Sequence, residues 1–160
     1  MTCCPPNGPG GPIHLQAESL DPSGVDAVAA LFERVRSGAW SGDALRRELA
    51  RSDGLALWMR QGSEAAAALL GRVVLDEFHI LDVATAAALR RQGFARCLLR
   101  QALSEAVRRG CEQAMLELRA SNRPARSLYE EAGFVVVGSR PRYYRDGESA
   151  TLMTYRFGGA

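Results

Sequence analysis

The chain has no apolar run approaching the roughly 18 residues that a bilayer-spanning helix requires. Its first twelve residues carry neither a basic start nor the apolar stretch of a secretion signal, so the expectation is a soluble, cytoplasmic protein. Histidine is scarce, and the two present, His14 and His79, stand alone. The four cysteines (Cys3, Cys4, Cys97, Cys111) form no Cys-x-x-Cys pair and have no histidine cluster beside them, so reduced thiols and no metal are expected. The vicinal Cys3-Cys4 pair alone leaves metal binding in the tail open. Charge of one sign is also missing. Twenty basic against 18 acidic residues give a net charge of +2, distributed along the chain, which argues for neither nucleic acid nor a membrane surface as partner. Neither Gly-x-Gly-x-x-Gly nor Gly-Lys-Ser/Thr occurs, which speaks against a dinucleotide fold and a nucleoside triphosphate loop.

What the chain does have is enough apolar material for a core: 47% of 160 residues, with 24% charged, the size of one ordinary domain. Residues 5–12 are rich in proline and glycine, so residues 1–12 read as a flexible extension and 13–160 as a single domain. Residues 13–17 alternate as a half-buried strand. Asp21 or Ser23 then caps a helix with Val25, Val28, Leu31, Phe32 and Val35 on one face, and Ser41 or Asp43 starts a second helix that runs to about Arg51. Strands are expected at residues 55–59, 66–75 and 78–83. The alanines at 65–68 would suit a helix equally well by propensity. From Gly93 the period turns helical up to Gly110. A strand at 114–118, a helix opened by Asn122 and Pro124 and closed by Gly133, and strands at 134–138 and 152–157 complete the chain. The order β-α-α-β-β-β-α-β-α-β-β is an α/β arrangement: about seven strands in a mixed central sheet, with about four helices.

One stretch carries chemistry on its own terms. Arg90-Arg91-Gln92-Gly93-Phe94-Ala95 lies between a strand and a long helix. A helix start leaves backbone N–H groups unpaired and carries partial positive charge, which makes it a seat for anions. Gly93 and Ala95 remove bulk above those groups, and Arg90, Arg91 and Arg96 add charge. The same features would also fit a tight turn beside a solvated basic patch.

The Arg/Gln-x-x-Gly-x-Gly/Ala pattern between strand and amphipathic helix resembles motif A of the Gcn5-related N-acetyltransferase (GNAT) superfamily. Leu116-Glu117-Leu118-Arg119-Ala120-Ser121-Asn122, followed by Ser127-Leu128-Tyr129-Glu130-Glu131-Ala132-Gly133-Phe134, resembles its RimI-type branch, the ribosomal-protein N-terminal alanine acetyltransferases. The likeness is close from Phe78 to Phe157 and loose before it. It implies the GNAT fold and acetyl-CoA as cosubstrate. Val83, Ala84 and Thr85 match positions that offer backbone groups to the pantetheine arm. The amides cradling the pyrophosphate match Arg91, Gln92, Gly93, Phe94, Ala95 and Arg96, and Asn122 matches a cofactor-contacting asparagine. The usual Val-x-Pro before the loop is here Thr85-Ala86-Ala87, and the second loop glycine is Ala95.

Acetyl transfer to an amine needs a neutral amine, a stabilised oxyanion and a proton for the departing thiolate. Glu117, a carboxylate in an otherwise apolar strand, reads either as an exposed residue paired with Arg119 or a neighbouring cation, or as the base that the family places there. Tyr129 reads either as a packing aromatic or as the family's general acid. Cys97 is expected to face away from the apolar side of its helix and Cys111 sits at a helix end, so direct transfer in a ternary complex is favoured over an acyl-cysteine. Tyr143 and Tyr144, between the last two strands, are candidate walls of an acceptor slot, with Trp40 on the opposite side. The acceptor implied by the resemblance is a peptide or protein N-terminus, such as the N-terminal alanine of a small-subunit ribosomal protein. A small amine (polyamine, amino acid or antibiotic) and a non-catalytic acyl-CoA-binding module are the competing readings.

Overall fold

Residues 16–158 are described by the computed structural model. Strand β1 (Glu18–Ser19) leads through a 3-10 turn into α1 (Val25–Val35) and α2 (Gly42–Leu49). Three antiparallel strands follow: β2 (Gly54–Gln61), β3 (Glu64–Val74) and β4 (Glu77–Thr85). Then come α3 (Phe94–Arg108), β5 (Gln113–Arg119), α4 (Arg123–Glu131), β6 (Val135–Arg140) and β7 (Ala150–Arg156). All seven strands form one sheet, ordered β1-β2-β3-β4-β5-β7-β6, in which only β4 and β5 run parallel. The expected element order is the observed one.

Local chemistry sets the element ends. Asp21 accepts from the Ser23 and Gly24 amides at 2.8 and 3.3 Å, and Ser41 Oγ accepts from the Ala44 amide at 3.1 Å. The first strand differs from expectation. Residues 13–15 lie outside the described residues, as does the expected 1–12 extension, and the first paired residues are Glu18 and Ser19, opposite Trp58 and Leu57. Ala17 nevertheless faces inward, 3% exposed.

The alanine run is strand. Ala65, Ala66, Ala67 and Ala68 are all buried because β3 is central and covered on both faces. Ala67 and Leu69 pack in the core beneath α3 and α4, while Ala68 and Leu70 pack in the core beneath α1 and α2. Small side chains allow helices to approach from both sides, and this burial overrides the helical propensity of alanine.

The feature that matters most for function is a register break. β3 pairs Leu70 with Asp82 but Gly71 with Ile80, so Leu81 is an extra residue in β4 and the strand bends there. Parallel pairing of β4 with β5 runs from Glu77↔Gln113 to Ile80↔Leu116 and stops, although β4 continues to Thr85 and β5 to Arg119. The two strands therefore splay apart. Opposite the bend, a Cβ on Gly71 would stand 2.4 Å from the Phe78 ring and 3.0 Å from the His79 carbonyl oxygen. Phe78 itself is fully buried, so the ring has little room to yield. We expect Gly71→Val to lower stability by about 1–3 kcal/mol through overpacking, read as a lower urea midpoint. An unchanged midpoint would show that glycine is not required beside the bend.

Candidate active site

The loop after β4 has the geometry of an anion seat. A short 3-10 turn (Ala87–Leu89) precedes it, Arg91 and Gly93 adopt left-handed backbone (φ 62° and 89°), and α3 starts at Phe94 with no side chain capping its first turn. The first-turn amides thus lack both an intrahelical and a side-chain acceptor. Nothing stands within 4 Å of the place a Gly93 Cβ would occupy, so the space over the turn is open. Arg90, Arg91 and Arg96 are exposed around it, and Arg96 pairs with Glu131 of α4. Phe94 is buried in the core and offers the seat its backbone only, and Gln92 donates to the Ala88 carbonyl at 3.3 Å. These features fit a pyrophosphate.

Val83, Ala84 and Thr85 pair with Leu69, Ala68 and Ala67 of β3 on one edge. Their other edge borders the splay, where β4 has no pairing with β5. Backbone polar groups of a strand alternate between its two edges, so this lip of β4 offers strand-type hydrogen bonds to an extended ligand. Asn122 caps α4, its Oδ1 accepting from the Ala125 amide at 3.2 Å.

Glu117 stands on the β5 lip. Its neighbours Leu116 and Leu118 point into the core beneath α3, so Glu117 points to the opposite, open face. Its side chain is 29% exposed and pairs with Arg140 of β6 at 3.2 Å. The Tyr143 hydroxyl hydrogen-bonds to Glu117, which holds that phenol above its ordinary pKa, and the Arg140 guanidinium lies 5.5 Å from the Tyr143 ring centre. Arg119, an expected partner of Glu117, is engaged elsewhere: it binds Asp146 at 2.7 Å and Glu148 at 2.8 Å and stacks 4.1 Å over Tyr144. Tyr143 and Tyr144 meet edge to face at 5.2 Å, so both expected wall aromatics stand beside Glu117.

Tyr129 enters from the other side of the sheet. It is 7% exposed and packs edge to face on Phe134 at 5.5 Å. Burial, then the negative charge of Asp82, push its phenol pKa well above the usual value. The phenol thus feels the charge of Asp82 on β4. Trp40 belongs to the β4 side, its indole donating to Asp82 at 3.0 Å.

Arg36, Asp82 and Arg140 were not anticipated. Asp82 carried a readable signal, the same one as Glu117: a lone carboxylate in an apolar strand. Cys97 departs from expectation, being half-buried against the core, because α3 lies across both β3 and β2. Burial pushes the Cys111 thiol up, which makes it a poor nucleophile. Among the described residues no group of three His, Cys, Asp or Glu side chains could hold a metal ion, and no helix is long and apolar enough to cross a membrane.

Comparison with known proteins agrees with this geometry. The sequence pattern of the Acetyltransferase (GNAT) family matches residues 25–134, more than half of the chain. The chain belongs to the GNAT family. This GNAT protein is 33% identical over 141 residues to the [ribosomal protein bS18]-alanine N-acetyltransferase of Escherichia coli K12, covering 84% of the chain and 93% of the relative. The crystal structure of the E. coli ribosomal-protein-S18-alanine N-acetyltransferase superposes with a TM-score of 0.81 at 31% identity, over 91% of this chain and 95% of that one. Arabidopsis thaliana NAA60 in complex with acetyl-CoA has the same fold (TM-score 0.82, 16% identity, 90% and 99% covered). The GNAT chain is thus an enzyme of the N-acetyltransferase class, with a RimI-type relative along nearly its whole length.

The Arg119 cluster gives a pH test. Glu148 also accepts from the Ser121 amide at 2.8 Å, and hydrogen bonds from Ser121 and Arg119 lower its pKa from 4.5 to about 2. A depressed carboxylate contributes stability above its unfolded pKa and loses it as pH falls through the folded one. We expect Glu148→Gln to be less stable than wild type at pH 6, with the gap in urea midpoint closing as pH falls from 4.5 towards 2. A gap independent of pH would remove the charge from the explanation.

Proposed function

We propose that this enzyme transfers an acetyl group from acetyl-CoA to the α-amine of a protein N-terminus, with an alanine-initiated ribosomal protein as acceptor. What supports this reading is the pair of groups that the two elements present: Glu117 on the open face of β5, paired with Arg140, and the buried Tyr129 phenol of α4, which feels the charge of Asp82 on β4. The bS18-alanine acetyltransferase activity named for the E. coli relative supports the choice of acceptor.

Acetyl-CoA supplies the acetyl group as an activated thioester. The residues at 91–96 hold its pyrophosphate by their amides, with Arg90 adding charge, and Val83, Ala84 and Thr85 guide the arm along the β4 lip, with Asn122 at the start of α4 beside it. Glu117 takes the proton of the acceptor's α-ammonium, directly or through a water. A peptide α-amine has a pKa of about 7.7–8.0 against about 10.4 for lysine, so this deprotonation is within reach of a carboxylate at neutral pH. Tyr129 keeps its proton because it is buried, and donates it to the departing sulfur. Tyr143 and Tyr144 wall the slot on the β5 side and Trp40 on the β4 side.

The charge pattern bears on the competing amines. The carboxylates on this face have guanidinium partners: Glu117 with Arg140, Asp82 with Arg36, and Asp146 and Glu148 with Arg119. A face so neutralised favours a single α-ammonium over a polyamine. A cytoplasmic location belongs to the same reading, since a ribosomal acceptor is made there.

Mass spectrometry of Ala-initiated peptides and polyamines incubated with enzyme and acetyl-CoA tests the acceptor. Acetylated polyamines with untouched peptides would overturn it. We expect Glu117→Gln to lower kcat by about 100-fold or more and Tyr129→Phe by about 10- to 100-fold, the scale of general acid–base catalysis. Both variants should keep the thermal shift produced by acetyl-CoA. Unchanged turnover in either would remove that residue from the chemistry.

A further inference from the structure

Glu117 occupies one lip of the splay, and the other lip carries a second carboxylate. Asp82 stands between Leu81 and Val83 in β4, and its pairing with Leu70 puts it on the same sheet face as Glu117. Its side chain is only 12% exposed, and both oxygens are engaged. Oδ2 accepts from the Trp40 indole at 3.0 Å, and Oδ1 accepts from the Arg36 guanidinium. Arg36 is the residue that ends α1, and Trp40 directly precedes the Ser41 cap of α2. One carboxylate therefore ties both ends of the α1–α2 connection to the sheet. Glu33 fastens the middle of that connection to α1, accepting from Ser37 Oγ at 2.6 Å and the Gly38 amide at 2.9 Å. Phe32 supports the Trp40 ring from behind, with centroids 6.3 Å apart.

We propose that Asp82 is a positioning residue for acceptor selection: by holding Trp40 and Arg36 against the β4 lip, it fixes the wall of the acceptor slot on the side opposite the β5 lip that carries Glu117. The inference rests on the N-terminal acceptor proposed above. An α-amine delivered to Glu117 brings its own first side chain between the two lips. A fixed indole limits the size of that side chain, whereas an untethered loop would yield to a larger one. Arg36 contributes the charge that keeps a half-buried carboxylate compensated. The Trp40 indole needs only an oxygen acceptor, which an amide supplies as well as a carboxylate does.

The test compares kcat and KM for peptides differing only in the first residue (Ala, Ser, Met, Leu) with wild type, Asp82→Asn, Asp82→Ala, Trp40→Ala and the Asp82→Ala/Trp40→Ala double variant. We expect Asp82→Ala to raise KM for the Ala peptide and to narrow the Ala-over-Leu preference by about 10-fold, the change falling on KM more than on kcat. Trp40→Ala should do the same, and the double variant should add nothing further, because the two residues act through one contact. Asp82→Asn should retain most of the preference and guards against a folding defect in the alanine variant. An unchanged preference in both Asp82→Ala and Trp40→Ala overturns the inference. So does an equal loss of kcat on every peptide with KM unchanged, which would put Asp82 in the proton chemistry. A wild-type enzyme that binds acetyl-CoA but acetylates no peptide overturns the acceptor reading and this inference with it. A peptide-acetylating wild type with indifferent variants overturns the inference alone.

Discussion

The parting of β4 from β5 is the constraint on which the rest of this molecule depends. Two parallel strands that stayed paired would bury their facing backbone groups in each other. Here pairing ends at Ile80 and Leu116, and the residue that ends it is the bulged Leu81. The bulge is tolerated because the partner opposite it is Gly71, whose missing side chain is replaced by the Phe78 ring. Beyond that point, strand edges that would otherwise be satisfied become available to a ligand. The start of α3 lies at the end of the same lip, so an anion seat and an extended-chain seat arise from one bend.

The sheet is held rigid around this opening by different means on its two faces. Under α3 and α4 the support is apolar, with Phe78, Phe94, Leu98, Leu99 and Met153 fully buried. Under α1 and α2 it includes a charge pair: Glu48 of α2, 5% exposed, receives both Nε and a terminal nitrogen of Arg72 at 2.5 Å. A buried ion pair of this kind is weak as a source of net stability but costly to break on one side only. It fixes where α2 sits on β3, and therefore where the α1–α2 connection can reach. The tether at Asp82 would serve little purpose if α2 itself could slide.

Much of this was legible in the sequence, and the reasons for the exceptions are physical. Hydrophobic period and caps located the helices, since Asp21, Ser41, Asn122 and Gly93 act within a few residues of themselves. Ala65 to Ala68 remained ambiguous because propensity is local, while burial on both faces is a property of the finished sheet. Cys97 was assigned to a solvated face because a helix packed on two neighbours has a wider apolar arc than its own period suggests. Within the site, Glu117, Tyr129 and the loop stand out as candidates from their motifs. Their partners do not. Arg36 and Asp82 lie 46 positions apart, and Arg119 and Glu148 lie 29 apart, and neither spacing announces itself along the chain.

What separates the two catalytic candidates is their solvent environment, and it fits the roles proposed for them. Glu117 is part-exposed on the open face, paired with Arg140 and within reach of water. Tyr129 is sealed in the core with a carboxylate nearby, and both conditions penalise its anion. The sheet provides this separation because its two faces differ: one is covered by α3 and α4, and the other is left open at β5, β6 and β7. The acid and base proposed here thus come from opposite sides of the sheet, and the bulge in β4 is what opens the gap between the two lips.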